Sequence, residues 1–268
     1  TWACGGHPLE LLDGTDLVCP SGGVPLTLPL IIEALRRGIP LSNDSQIFLE
    51  VCPCPTIGIT GSAGKTTTTS LVGRMVAQAR GEAHTWVGGN IGSPLLSVVD
   101  EMSPDDLAVL ELSSFQLEIM TRSVSVAAVL NITPNHLDRH GTMEAYRSAK
   151  AQLITRQSAG DSAVLGRDDP GAWSLAGEVR GKLFSFGLAR PPEGMRGSYL
   201  DGEMVCLWDG QTARPVMPRR SISLRGEHNL QNVLAACALA DAAGLPVEAM
   251  RAAVEGFSGV PHRLEWVR

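Results

Sequence analysis

Thr56-Ile57-Gly58-Ile59-Thr60-Gly61-Ser62-Ala63-Gly64-Lys65-Thr66 decides the fold of this 268-residue chain. Thr56–Thr60 reads as a buried strand, the glycine-bearing stretch as a loop, and Lys65 to about Ala79 as a helix. Glycines let backbone N–H groups close around phosphate oxygens, and a helix N-terminus adds positive potential. In that frame Gly61, Ser62, Ala63, Gly64, Lys65, Thr66 and Thr67 form a nucleotide cradle. Lys65 reaches the β- and γ-phosphates, and the Thr66 hydroxyl is placed for Mg2+. The usual pattern has glycine five residues before Gly64, where this chain has Ile59, so the loop is a shortened G-x-x-G-K-T variant. A chance glycine-rich turn is the alternative. The flanking strand and helix argue against it, as does a lysine in a chain with three, Lys65, Lys150 and Lys182.

Downstream of the loop, strands and helices alternate. Strands are expected at Thr85–Val87, Leu107–Leu112, Val126–Ile132, Ala163–Leu165 and Leu183–Phe186, and helices at Met143–Arg156, Leu230–Ala243 and Val247–Glu255. Near-continuous apolar strands separated by helices imply an α/β fold: a phosphate-loop-containing, mostly parallel sheet flanked by helices. Residues 198–224, with shorter alternating runs, suggest an antiparallel edge. Upstream, Asp16–Ser21 resembles a strand entering a turn at Gly22-Gly23. Leu28–Arg37 has helical spacing, Ile39–Leu41 reads as a short strand and Ser45–Val51 as a short helix. This is part of a Rossmann-like unit, and Cys52-Pro53-Cys54-Pro55 marks the boundary after it.

Several polar groups fall at strand ends, where open α/β sheets bind ligands. Glu111 closes an apolar strand and would complete the cation coordination begun by Thr66; an ordinary strand-end acid is the alternative. Gly88-Gly89-Asn90-Ile91-Gly92 follows a short strand and alone reads as a plain turn, although Asn90 offers both a donor and an acceptor. His136 and Asp138 share a loop after the Val126 strand. They fit a metal or phosphate site, or simply satisfied polar groups. Lys150 follows on a helix capped by Thr142. As an ammonium it cannot hold a cation, but CO2 added to its neutral amine gives an oxygen ligand suited to a hard one. A surface lysine is the simpler reading from the residues alone. Asn229 and Asn232, three apart, share a helix face. They would read an adenine edge or a phosphate, or else cap the helix and face solvent. Arg263 would clamp a phosphate, or is a linker charge.

Composition narrows the field. With 22 basic and 28 acidic residues the net charge is −6, which argues against a nucleic-acid binder working through a broad basic face. No apolar run approaches the ~18 residues of a membrane span. Cys4, Cys19, Cys52, Cys54, Cys206 and Cys237 are scattered and lack zinc-knuckle spacing. A reduced, cytoplasmic protein is expected rather than a disulfide framework.

Taken in order, G-S-A-G-K-T, G-G-N-I-G, L-E-L-S-S-F-Q-L, H-L-D-R-H-G with A-Y-R-S-A-K, G-E-H-N-L-Q-N and P-H-R resemble the Mur ligases of peptidoglycan synthesis. The resemblance runs from about Ser21 to Arg268, and the second and third motifs are most similar to the branch that adds D-glutamate. It implies that residues 1–54 are part of an N-terminal UDP-binding domain and 55–261 the central ATPase domain. Residues 262–268 would begin a linker to a C-terminal domain that the chain lacks. The implied reaction is ATP-dependent amide formation between UDP-N-acetylmuramoyl-L-alanine and D-glutamate, through an acyl phosphate, in a monomer using ATP and two Mg2+ ions. By resemblance, Lys65, His136 and Lys150 are catalytic. Thr66 and Glu111 hold one cation, and His136 with carbamylated Lys150 the other. Ser21, Gly23, Asn90, Ser113 and His136 face the UDP substrate, and Asn229, Asn232 and Arg263 the nucleotide. Three positions depart from the family pattern: Ala63 for Asn in the loop, Asn135 for Asp before His136, and Gly22 for Pro after Ser21. Rival readings are a different Mur ligase or a folylpolyglutamate synthase, a phosphate-loop phosphotransferase, and a fragment that binds nucleotide without ligating.

Overall fold

A computed structural model describes residues 2–260. In chain order the elements are α1 (Pro29–Arg36), α2 (Asp44–Val51), β1 (Thr56–Thr60), α3 (Lys65–Arg80), β2 (Thr85–Gly89), β3 (Leu107–Glu111), α4 (Ser114–Leu117) and β4 (Val126–Val129). There follow α5 (Leu137–His140), α6 (Met143–Thr155), β5 (Ser162–Gly166), α7 (Pro170–Trp173), β6 (Lys182–Phe186), β7 (Arg196–Asp201), β8 (Met204–Trp208), β9 (Ala213–Pro218), α8 (Glu227–Ala242) and α9 (Val247–Glu255). Short 3-10 turns link several of them.

The strands form one sheet in the order β2-β3-β1-β4-β5-β6-β7-β8-β9. Pairing is parallel from β2 to β7 and antiparallel for β7–β8 and β8–β9. The expected antiparallel edge is therefore present, with its first strand attached in parallel to β6. β1 lies between β3 and β4, so the loop it feeds opens where the chain crosses from one half of the sheet to the other. Ligands collect at such a switch point.

Alternation along the central strands splits the core into two layers. Ile57, Ile59, Val109 and Ala128 face α3, α8 and α9; Ala108, Leu110, Ala127 and Val129 face α6 and α2. α8 is buried nearly all round, from Leu230 through Ala240, because it is wedged between the sheet and α3. A helix apolar on every side needs such a place. No helix of the described residues is long and apolar enough to cross a membrane.

The first fifty residues differ most from expectation. Asp16–Ser21 and Ile39–Leu41 do not form strands; a single parallel bridge joins Val18 to Leu41. Two isolated segments without a wider sheet have nothing to extend the ladder. Leu12, Leu30, Ile31 and Ala34 form a small cluster of their own, whereas Phe48 of α2 packs into the core of the large sheet. Val126–Ile132 also shortens: pairing stops at Val129, and Leu130–Ile132 run on as a loop beneath the phosphate loop. The α8 helix begins three residues earlier than its apolar pattern, because Glu227–Asn229 supply a polar first turn.

Leu234 on α8 is fully buried between layers. Leu234→Ala should lower unfolding free energy by about 2–5 kcal/mol. In urea the expected result is a lower midpoint at unchanged slope; an unchanged midpoint would mean that α8 is not the wedge described.

Candidate active site

Asn131 and Tyr146 brace the phosphate loop from below. Asn131 Nδ2 donates to the Ala63 carbonyl at 3.2 Å, and Asn131 Oδ1 accepts from the Ala63 N–H at 2.8 Å. The Ser62 N–H donates to the Asn131 carbonyl at 3.0 Å, and Ser62 Oγ lies 3.0 Å from the Tyr146 hydroxyl. A loop this short has few internal contacts, so its shape is imposed by the residues after β4 and by α6. Gly64 is left-handed (φ +82), and an added Cβ would stand 2.2 Å from Asn232 Oδ1. Both conditions restrict the position to glycine. α3 begins directly after it with no side chain capping its N-terminus, which leaves its first N–H groups turned toward the loop.

Register puts the acid beside the loop. Ile59 of β1 pairs with Glu111 of β3, and Gly89 of β2 pairs with Glu111 on its other side. Thr66 Oγ1 donates to Glu111 Oε2 at 2.7 Å, and Asn90 Nδ2 donates to Glu111 Oε1 at 3.0 Å. Glu111 is 2% exposed, so its two oxygens are fixed by these partners rather than by water. Gly89 (φ +92) permits the approach, since a Cβ there would meet the Glu111 carbonyl at 2.3 Å. Thr66, Asn90 and Glu111, 45 residues apart at the extremes, thus form one hydrogen-bonded chain.

Lys150 is the third expected component, and it is not a surface lysine. It is 1% exposed, and its Nζ donates to the Gly61 carbonyl at 3.0 Å and to Thr60 Oγ1 at 3.4 Å. Its ammonium lies 4.6 Å from the Tyr146 ring centroid. Burial, and then repulsion from Lys65, lower its pKa from 10.5 to about 7. Lys65 Nζ donates to the same Gly61 carbonyl at 3.1 Å, so the two amines converge on one oxygen.

His136 sits on the exposed rim. It is the one non-glycine residue with positive φ (+53) among those described, and it caps α5. Asn135 Oδ1 accepts from its backbone N–H at 2.9 Å. Its ring lies 5.1 Å from that of Phe115 and 6.5 Å from that of Tyr146. His136 and Lys150 therefore both lie near Tyr146. His140 stacks on Phe115 at 5.2 Å with Nε2 3.0 Å from Ser114 Oγ; burial, then Lys150, lower its pKa.

Two cavities meet this cluster. One, of about 310 Å3, is lined by Ala63, Gly64, Asn131, Asp168, Gln231 and Asn232. Asn229 and Asn232 are 8% and 7% exposed and bonded to each other at 3.2 Å, and Asn229 lies inside α8 rather than capping it. Only Asn232 lines this cavity. The other, of about 660 Å3, is lined by Ser21, Gly23, Asn90, Ser113, Phe115 and Arg139, among others. Ser21, Gly23, Asn90 and Ser113 thus meet in one place, although 92 residues separate the first from the last; His136 does not line it but touches Phe115, which does. Arg139 donates to the Gly23 carbonyl at 2.8 Å. Arg263 lies outside the described residues.

Asn131, Tyr146, Phe115 and Gln116 carry no role in the sequence reading. Tyr146 could have been found, since it stands four residues before Lys150 and so on the same helix face. Gln116 could too: with Ser113 it makes a capping box on α4. Nothing local marks Asn131. Among the described residues no three His, Cys, Asp or Glu side chains gather as a cation cage. Oxygens of Thr66 and Glu111 at the phosphate loop suit Mg2+, which takes few protein ligands beside substrate phosphates.

Two outcomes test this geometry. Gly64→Ala should weaken binding of a non-hydrolysable ATP analogue at least about 10-fold, because the loop must move off Asn232; unchanged affinity by calorimetry would refute the cradle. Folding lowers the proton affinity of Lys150, so the unfolded chain binds more protons between about pH 7 and 10.5. The stability contributed at this position is least favourable below about pH 7 and rises with pH across that window. In CO2-free buffer, the stability of wild type relative to Lys150→Met should climb accordingly, and a flat difference would overturn the burial argument.

The Mur ligase middle domain model matches residues 59–240. The UDP-N-acetylmuramoylalanine–D-glutamate ligase of Symbiobacterium thermophilum is 44% identical over 260 residues, 97% of this chain and 57% of that protein. The enzyme of the same name from Pelotomaculum thermopropionicum is 42% identical over 264 residues, 98% of this chain and 57% of its own length. The chain therefore spans a little over half the length of these curated relatives. Among solved structures, MurF from Acinetobacter baumannii aligns with a TM-score of 0.61 at 24% identity, covering 82% of this chain and 49% of that one. The UDP-N-acetylmuramate:L-alanyl-gamma-D-glutamyl-meso-diaminopimelate ligase of Neisseria meningitides aligns at 0.63 and 20% identity, covering 96% and 84%. These two show a shared fold. With a family model spanning the phosphate loop, β3, α6 and most of α8, the chain belongs to the Mur ligase family.

Proposed function

We propose that this chain is the nucleotide-binding and UDP-substrate-binding part of a ligase that joins D-glutamate to UDP-N-acetylmuramoyl-L-alanine at the expense of ATP. The observation that carries the reading is the convergence of Lys65, Lys150 and the Thr66–Glu111–Asn90 chain around Gly61, between two cavities. Residues 1–54 are taken as the UDP-binding unit, residues 55–261 as the ATPase unit and 262–268 as the start of a linker. Cytoplasmic location and a monomeric state are part of the same proposal.

The alanyl carboxylate attacks the γ-phosphorus of ATP, ADP leaves, and an acyl phosphate remains. The D-glutamate amine then attacks the acyl carbon, loses a proton, and phosphate leaves as the amide forms. Gly61, Ser62, Ala63, Gly64, Lys65, Thr66 and Thr67 hold the triphosphate, with Asn229, Asn232 and Arg263 toward the nucleoside. Lys65 offsets negative charge that grows on the bridging oxygen. Ser21, Gly23, Asn90 and Ser113 hold the UDP substrate so that its carboxylate lies toward the loop. Asn90 belongs to both systems, since it lines the larger cavity and bonds Glu111. Two Mg2+ ions, one at Thr66 and Glu111 and one at His136 and Lys150, would neutralise phosphate charge. For the second, Lys150 must become a carbamate. A buried amine with a pKa near 7 is largely free base in mildly alkaline buffer, which is the form that takes up CO2 and releases a proton.

Calorimetric titration with an ATP analogue and with UDP-N-acetylmuramoyl-L-alanine should show both binding. Binding of nucleotide alone would reduce the assignment to a generic phosphate-loop protein. A 13C-bicarbonate NMR experiment should give a carbamate resonance that Lys150→Met abolishes; its absence from wild type would remove the second cation site. In the longer ligase, Lys65→Ala should lower turnover about 10²–10⁴-fold, and near-normal turnover would refute its role.

A further inference from the structure

The cysteines of the α2–β1 connection have no part in the chemistry above. Cys52 ends α2, Pro53 follows, and Cys54 stands two residues before β1. Their Sγ atoms are 3.5 Å apart, and both thiols are free. The two are unequal. Cys52 is partly exposed, whereas Cys54 is 7% exposed and packs in the core layer with Phe48 and Leu110. Hydrogen bonding between the two thiols, in which either sulfur can donate, lowers the Cys52 pKa to about 7 against the effects of burial and of the nearby Asp106 carboxylate; as a thiol, Cys52 also donates to the Cys54 carbonyl at 3.5 Å. The same pairing, burial and Asp106 push the Cys54 thiol up. Asp106 is itself 2% exposed, and its oxygens are taken by His84, Trp86 and Ser103.

A partly exposed thiol that incoming reagents can reach, 3.5 Å from a buried one that they cannot, is the arrangement for attack by the first and resolution by the second. We propose that Cys52 and Cys54 are a modification site: a dithiol that exchanges with small disulfides and closes an intramolecular Cys52–Cys54 bond. The Cys52 thiolate attacks one sulfur of a disulfide RSSR, the S–S bond breaks, and RS⁻ leaves and takes a proton. The Cys54 thiol then gives up its proton, its sulfur attacks Cys52 Sγ, and the second RS⁻ leaves. Two cysteine thiols are oxidised and one RSSR is reduced to two RSH. Closure brings the sulfurs from 3.5 Å to about 2.05 Å, a short movement. It ties the end of α2 to the entry of β1, the strand that carries the phosphate loop.

The test uses the chain in oxidised and reduced glutathione mixtures, with thiol blocking and peptide mass mapping. In wild type the peptide holding both residues should lose two hydrogens and become refractory to alkylation, while buried Cys206 and Cys237 remain thiols. Cys54→Ser should stop at a stable glutathione adduct on Cys52, and Cys52→Ser should slow reaction at this site at least about 10-fold. Phenylarsine oxide, which bridges paired thiols, should bind wild type in one equivalent here and fail to bind either variant at this site. The proposal is overturned if wild type keeps both residues alkylatable under conditions that modify exposed Cys4 and Cys19, or if it accumulates the adduct without closing the ring. None of these readouts depends on ligase activity.

Discussion

The hydrogen bond from Thr66 to Glu111 depends on a strand register. Parallel pairing of β1 with β3 sets Ile59 against Glu111, and the carboxylate then emerges at the level where the phosphate loop turns into α3. A slip of one residue would send that side chain to the opposite face of the sheet. The register is held by apolar alternation on both faces, since Val109 and Leu110 belong to different core layers. Packing of ordinary aliphatic residues thus decides the position of the acid, and the acid in turn orders Asn90 and the rim of the larger cavity.

Much of this was legible from the residues because it follows from local pattern. Thr56–Thr60 and Val247–Glu255 have the limits that periodicity and breakers give, and the antiparallel edge announces itself in short alternating runs. The placement of Glu111 and of Gly88-Gly89 at one rim of the parallel sheet was legible for the same reason, since each closes an apolar strand. The burial of Lys150 was less so, because helix spacing tells which residues share a face but not what the face meets. Here it meets Tyr146 and the Gly61 carbonyl.

The failures have physical causes too. Asp16–Ser21 has strand-like composition, yet a strand needs a partner, and one bridge is all that Val18 finds. Asn131 has no local signature because its contacts are tertiary: its side chain bonds both the N–H and the carbonyl of Ala63. The same holds for Arg139, which joins Gly23 across 116 residues of chain.

His136 is held left-handed, a conformation that costs an ordinary side chain roughly 1 kcal/mol or more. Only glycine, and to a lesser degree asparagine and aspartate, enter that region cheaply. The backbone at 136 therefore filters mutations before any chemistry does: β-branched and bulky replacements meet a steric barrier, and the set of tolerated neighbours in sequence space is small. Glycine or asparagine would occupy that backbone at lower cost, so the conformation alone does not account for an imidazole at 136.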